Sequence, residues 1–103
     1  MPEAEACRLF SQTLVVSCAH GIHLRVAAKI VALAGAFQSS IWFSSRTRSA
    51  NAKSILGMLE LGLTEGAQVT MTARGPDAEQ TLGAIRALME DRLAVCGETA
   101  TRR

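Results

Sequence analysis

Hydrophobic and polar residues alternate most regularly in "GAQVTMTARG", residues 66–75. Ala67, Val69, Met71 and Ala73 fall on one face, and Gln68, Thr70, Thr72 and Arg74 on the other. A period of two with one apolar face predicts a half-covered antiparallel strand, and Gly75 with Pro76 ends it. "SSIWFSS" predicts a second such strand, with Ile41 and Phe43 on one side and Trp42 on the other. "RLFSQTLVV", residues 8–16, predicts an earlier one with Phe10, Leu14 and Val16 sharing a face. A turn at "RTR", residues 46–48, leads to a short strand near Ser49.

Between the strands the period lengthens. Val26, Ile30, Leu33 and Phe37 recur at helical spacing, with Ala27, Val31 and Ala34 beside them and Lys29 on the polar side. This predicts an amphipathic helix that stops near Gly35. "NAKSILGMLELG" predicts a short helix with Asn51 as its cap and Gly62 as its stop. Leu82, Ile85, Leu88, Met89 and Leu93 predict a last helix. Asp77, three residues before Gln80, suggests a carboxamide variant of the capping box at its start. The expected order is β-α-β-β-α-β-α, an α+β fold of two layers with the helices on one face of the sheet. Periodicity leaves the strand order open, and a ferredoxin-like order is compatible with it.

Composition narrows the class. A chain of 103 residues, 49% hydrophobic and 19% charged, is expected to form one domain with its own core. Residues 1–7 are expected to be flexible, 8–94 to form the folded unit, and 95–103, "VCGETATRR", to be a disordered tail. Three cysteines, Cys7, Cys18 and Cys96, are odd in number and lack CxxC spacing, which predicts reduced thiols in a cytoplasmic protein. "MPEAEACR" is acidic where a signal peptide is basic, and no apolar run reaches the ~18 residues of a membrane span. A net charge of +2 is too small to imply nucleic acid. "RTR" and the terminal "RR" read as a hairpin tip and a tail.

The chemistry concentrates in "AHGIHLRVAAK", residues 19–29, which holds both histidines. A metal pair is one reading, but Gly21 interrupts a helix there and Cys18 is the only further local donor. Zinc requires three or four ligands, so no metal is expected. A second reading starts a helix just after His23. The first amides of such a helix, including those of Leu24 and Arg25, have no partner within it and form an anion site. The Arg25 guanidinium can reach the same volume with a planar fork suited to phosphate oxygens. A neutral imidazole in that place is a nucleophile able to take a phosphoryl group. The plain alternative is that His23 caps the helix and Arg25 is solvated. No Ser-His-Asp set, paired carboxylates or phosphate-binding glycine loop occurs elsewhere.

These residues carry a resemblance. "GIHLRVAAKIV" is similar to the active-site segment of HPr, the histidine phosphocarrier family of the bacterial phosphotransferase system. "NAKSILGMLELGLTEGAQVTMTARGPD" resembles that family's second signature, and the similarity runs ungapped from about residue 8 to 93. It implies an open-faced β-sandwich, a four-stranded antiparallel sheet in the order 1-4-2-3 with three helices on one face. It implies that His23 accepts a phosphoryl group on Nδ1 from phosphoenzyme I and passes it to an enzyme IIA domain, in sugar uptake or in a nitrogen or carbon regulatory branch. Arg25 would neutralise the phosphate, and the backbone of Leu24 and Arg25 would cradle it. Ser54 matches a serine that an HPr kinase/phosphorylase modifies in some lineages, and Ile55, Leu56 and Leu59 match a patch that docks partner enzymes. Such a protein is a cytoplasmic monomer without cofactor, a transferase component with no catalytic cycle of its own.

The chain also departs from the family. Val26 stands where proline usually follows the arginine, which is expected to loosen the placement of Arg25. His20 stands where asparagine is frequent, and Thr47 where the hairpin usually has glycine. These departures leave a rival reading from another class: a regulatory interaction module of the same fold, controlled at Ser54, with weak or lost histidine transfer.

Overall fold

The computed structural model describes residues 8–46 and 48–96. Strands β1 (Leu9–Val15), β2 (Ser40–Ser45), β3 (Arg48–Asn51) and β4 (Gln68–Arg74) form one antiparallel sheet in the order β1-β4-β2-β3. Helices α1 (Leu24–Ala34), α2 (Ile55–Glu60), α3 (Ala78–Glu90) and α4 (Arg92–Cys96) complete the fold, with the helices on one face of the sheet. This is the expected open-faced sandwich, with one further short helix at its end.

Register follows the side-chain alternation, because a slip of one residue would turn every apolar side chain to the wrong face. β1 pairs with β4 from Leu9 opposite Arg74 to Val15 opposite Gln68, and β2 pairs with β4 from Ser40 opposite Arg74 to Ser44 opposite Thr70. The faces toward the helices bring Leu14, Ile41, Phe43, Val69, Met71 and Ala73 into one core with Val26, Ala27, Ile30, Leu82 and Ile85. The other face is open and mostly polar: Ser11 meets Thr72 at 3.1 Å and Thr13 meets Thr70 at 3.2 Å through their hydroxyls, while Leu9, Val15 and Trp42 are exposed beside them.

Several helix ends differ from expectation. Ser54, not Asn51, caps α2: its Oγ accepts the Gly57 N–H at 3.0 Å. Asn51 instead ends β3, and its side-chain oxygen accepts the Lys53 N–H at 2.8 Å. Asp77 does precede α3, but its carboxylate makes no capping bond. It reaches across to the start of β2, where it accepts the N–H of Gln38 at 3.0 Å, the N–H of Ser39 at 2.9 Å and the Ser39 hydroxyl. Three donors of another element outcompete one local amide, and the capping-box reading is corrected on that ground. Gly62 follows the end of α2 in the left-handed region at φ +64°. Gly35 ends α1 with ordinary helical angles, its N–H donating to Val31 O.

The last helix is broken. α3 ends at Glu90, and α4 begins after Asp91. Val95 and Cys96 are helical and buried, so the folded unit runs two residues past the expected boundary at 94. Residues 1–7, Thr47 and 97–103 lie outside the described residues, and with them the expectations for the N-terminus, the hairpin tip and the rest of the tail. The reading of all cysteines as free thiols is also corrected, since Cys18 and Cys96 form a disulfide across a sequence separation of 78. Packing of α4 against α1 and α3 brings them together, a convergence that cysteine parity and spacing do not encode.

Candidate functional site

The segment between β1 and α1 is held from below before it presents any chemistry. The Gly21 N–H donates to Cys18 O at 2.9 Å and the Ile22 N–H to Leu63 O at 3.0 Å. Gly21 lies in the left-handed region at φ +67°, and a Cβ there would sit 2.2 Å from Leu63 O. Only glycine lets the chain pass so close to the 63–64 backbone. Ile22 is buried, which directs the next residue outward at the helix mouth.

His23 is that residue, the N-cap of α1. Its backbone is extended (φ −97°, ψ −174°), its carbonyl accepts the Ala27 N–H at 2.8 Å, and its Nδ1 accepts the Arg25 N–H at 3.3 Å. An imidazole nitrogen that accepts a hydrogen bond carries a lone pair, so the ring proton of the neutral form resides on Nε2. The N–H groups of Leu24 and Val26 have no acceptor among the described residues. Nδ1 and these first-turn amides together form the mouth of α1, where the helix dipole favours negative charge. The ring is half-buried, while Arg25 extends into solvent.

Val26 is the third residue of α1 and is fully buried in the core. Side-chain burial anchors the helix start here, where a proline ring would preset it, and Arg25 beside it stays exposed. Unlike proline, Val26 also keeps its N–H. His20 is exposed, with its ring centroid 6.5 Å from that of His23 and tilted by 59°. Among the described residues no three His, Cys, Asp or Glu side chains converge as metal ligands, and Cys18 is engaged with Cys96.

The remaining candidates sit on α2, which packs against α1. Ser54 Oγ is occupied as the cap acceptor and lines a surface cleft with Arg48, Asn51, Gly57 and Glu60. Neither histidine nor Arg25 lines that cleft. Leu56 is 67% exposed and Ile55 38%, whereas Leu59 is partly buried against the core. Leu24, considered in the sequence only for its backbone, exposes 62% of its surface beside His23. Its position as the first residue of a predicted helix, off the apolar stripe, is the signal that marks it. No helix among the described residues is long and apolar enough to cross a membrane.

Residues 10–91 match the family model for the PTS HPr component phosphorylation site. The chain is 35% identical over 82 residues to the phosphocarrier protein HPr of Vibrio cholerae, covering 80% of this chain and 96% of that one. It is 39% identical over 72 residues to the phosphocarrier protein HPr of Cupriavidus necator, covering 70% and 81% of the two chains. Among solved structures, HPr-C-His from Thermoanaerobacter tengcongensis aligns with a TM-score of 0.79 at 34% identity, over 87% of this chain and 98% of that one.

Proposed function

From the premise that the chain belongs to the HPr family of phosphocarriers, we propose that His23 Nδ1 accepts a phosphoryl group from phosphoenzyme I and gives it to an enzyme IIA domain. One observation carries this reading: Nδ1 is the unprotonated ring nitrogen, its lone pair turned to the first amides of α1, where it accepts the Arg25 N–H. The N–P bond to Nδ1 forms as the donor's N–P bond breaks, and the proton on Nε2 stays in place. The Arg25 N–H then turns from Nδ1 to a phosphate oxygen, joined by the Leu24 and Val26 N–H groups. Arg25, free in solvent, swings in to neutralise the phosphate. A carrier must hold its group only modestly, and a mouth of neutral amides with one mobile guanidinium suits that demand.

Leu24, Ile55 and Leu56 supply apolar surface for the partner enzymes on two packed helices. On this reading the chain works as a cytoplasmic monomer, in sugar uptake or in a nitrogen or carbon regulatory branch. A regulatory role at Ser54 is the second reading, favoured by its position directly before the exposed Ile55 and Leu56. A phosphoryl group on Oγ, added by an HPr kinase/phosphorylase, would place a dianion at the edge of the docking surface.

Incubation with phosphoenolpyruvate and enzyme I tests the proposal. An acid-labile, alkali-stable phosphate is expected, lost in His23→Ala and kept in His20→Ala. Absence of labelling, with Ser54 still modified by the kinase, refutes the carrier reading in favour of the regulator. Labelling that survives His23→Ala refutes the site.

A further inference from the structure

The Cys18–Cys96 bond joins the segment ahead of the histidines to the last described helix. Cys18 opens the turn that closes through the Gly21 N–H, and His23 lies five residues on with no regular structure between. Three tethers hold this segment: the turn, the Ile22–Leu63 hydrogen bond and the disulfide. Both cysteines are almost fully buried, at 1% and 3% exposure. At the far end of the bond α4 has only five residues. A helix this short has little stability of its own. Among the described residues it is held by buried Val95, by the Val95 N–H to Asp91 O at 2.9 Å and the Ala94 N–H to Asp91 Oδ1 at 3.2 Å, by Lys29 Nζ donating to Ala94 O, and by the disulfide. A helix of five residues can open locally at low cost, and such opening uncovers the sulfurs.

We infer that Cys18–Cys96 is a redox latch, opened by a dithiol reductant through thiol–disulfide exchange, that governs docking of α4 and placement of the His23 segment. A reductant thiolate attacks one sulfur, forming a mixed disulfide and releasing the other cysteine as a thiolate, which takes up a proton. The reductant's second thiol then displaces the first. The protein leaves with two thiols, and the reductant, having lost two electrons and two protons, leaves as a disulfide. The oxidised latch holds α4 on the core and the histidine segment on three tethers. The reduced latch frees α4 and leaves two. The effect on transfer rests on the carrier reading; the chemistry of the latch does not.

The test uses the full chain with Cys7→Ser, which removes the third thiol. Air-oxidised protein is expected to take up no iodoacetamide under denaturing conditions, and two equivalents after dithiothreitol treatment in the folded state. Amide exchange in residues 92–96 should then accelerate at least ~10-fold. Phosphoryl transfer should slow by between ~3-fold and ~100-fold, the upper bound being the cost of misplacing a reacting group by about 1 Å. Cys18→Ser/Cys96→Ser should behave as the reduced form under either condition. Two free thiols in air-oxidised protein, resistance of the bond to dithiothreitol without denaturant, unchanged exchange in α4, or equal transfer rates would overturn the inference. If neither form is labelled, the carrier reading has failed, and the thiol count and exchange rates still judge the latch.

Discussion

Gly21→Ala separates two costs that usually travel together. The residue adopts φ +67°, where an added Cβ is strained, and that Cβ would also lie 2.2 Å from Leu63 O and 2.8 Å from Thr64 Cα. Gly62 and Gly66 share the positive φ, at +64° and +87°, but a Cβ at either meets nothing within 4 Å. Their alanine variants should therefore lose about 1 kcal/mol from backbone strain alone. At Gly21 the contact atoms are backbone and cannot rotate aside, so the two segments must part. Parting breaks the Ile22 N–H to Leu63 O bond at a buried residue, which adds about 2 kcal/mol for unsatisfied groups. The total is about 3 kcal/mol, or ~12–24 °C in the thermal midpoint against ~4–8 °C for the controls. Far-ultraviolet circular dichroism on heating measures it, and labelling of His23, two residues on, should fall in the same variant at temperatures where it remains folded. An equal loss of midpoint for Gly21→Ala and Gly62→Ala would refute the claim that close approach, not φ, fixes this turn.

Three other perturbations follow from the structure. The Ser39 hydroxyl bond, aided by the Gln38 and Ser39 amides, holds the Asp77 carboxyl below the usual carboxylate range despite some opposing desolvation. Because its folded value is the lower one, its stabilisation is full above the unfolded value of about 3.9 and is lost as pH falls through the folded value. Denaturant midpoints measured between pH 6 and 2 should thus fall less steeply in Asp77→Asn, which at neutral pH is weaker by about 1–2 kcal/mol after allowance for partial exposure. Leu56→Arg alters a side chain 67% exposed: its unfolding free energy should stay within ~0.5 kcal/mol of the parent, while the KM of enzyme I for this protein rises ~10-fold. Val26→Pro keeps a helix-compatible first turn but removes one amide donor from the mouth. It should fold, and its equilibrium with phosphoenzyme I should shift ~10-fold toward the unphosphorylated form, the worth of one hydrogen bond to a charged group.

Where local periodicity met a single competitor-free solution, sequence and structure agree. β4 alternates without exception, Ile41 and Phe43 turn inward, and Val26 and Ile30 line the buried face of α1. The strand order is different in kind. Nothing in a period of two says which strand lies beside which, and the order 1-4-2-3 came from the resemblance alone. The failures are long-range. Asp77 has an N-terminal amide within reach, yet three donors at Gln38 and Ser39 hold it, and those become neighbours only when β2 and α3 meet. Cys18 and Cys96 are likewise independent residues until α4 folds back onto α1. Local composition cannot weigh partners that tertiary structure supplies.

The helix mouth shows why the two readings of His23 looked like rivals and are not. A capping side chain must aim a lone pair at the first amides of a helix. A nucleophile for phosphoryl transfer must present a lone pair where the incoming oxygens find donors. Nδ1 of His23 meets both requirements with the same electron pair, through its bond to the Arg25 N–H. On the proposed reading, phosphorylation consumes that cap and at once replaces it, because phosphate oxygens accept the amides that Nδ1 gives up. α1 is then capped in both states, and the free-energy difference between them stays small. Burial of Val26 keeps those amides in place throughout. Its N–H is the extra donor by which this mouth differs from one that begins with proline.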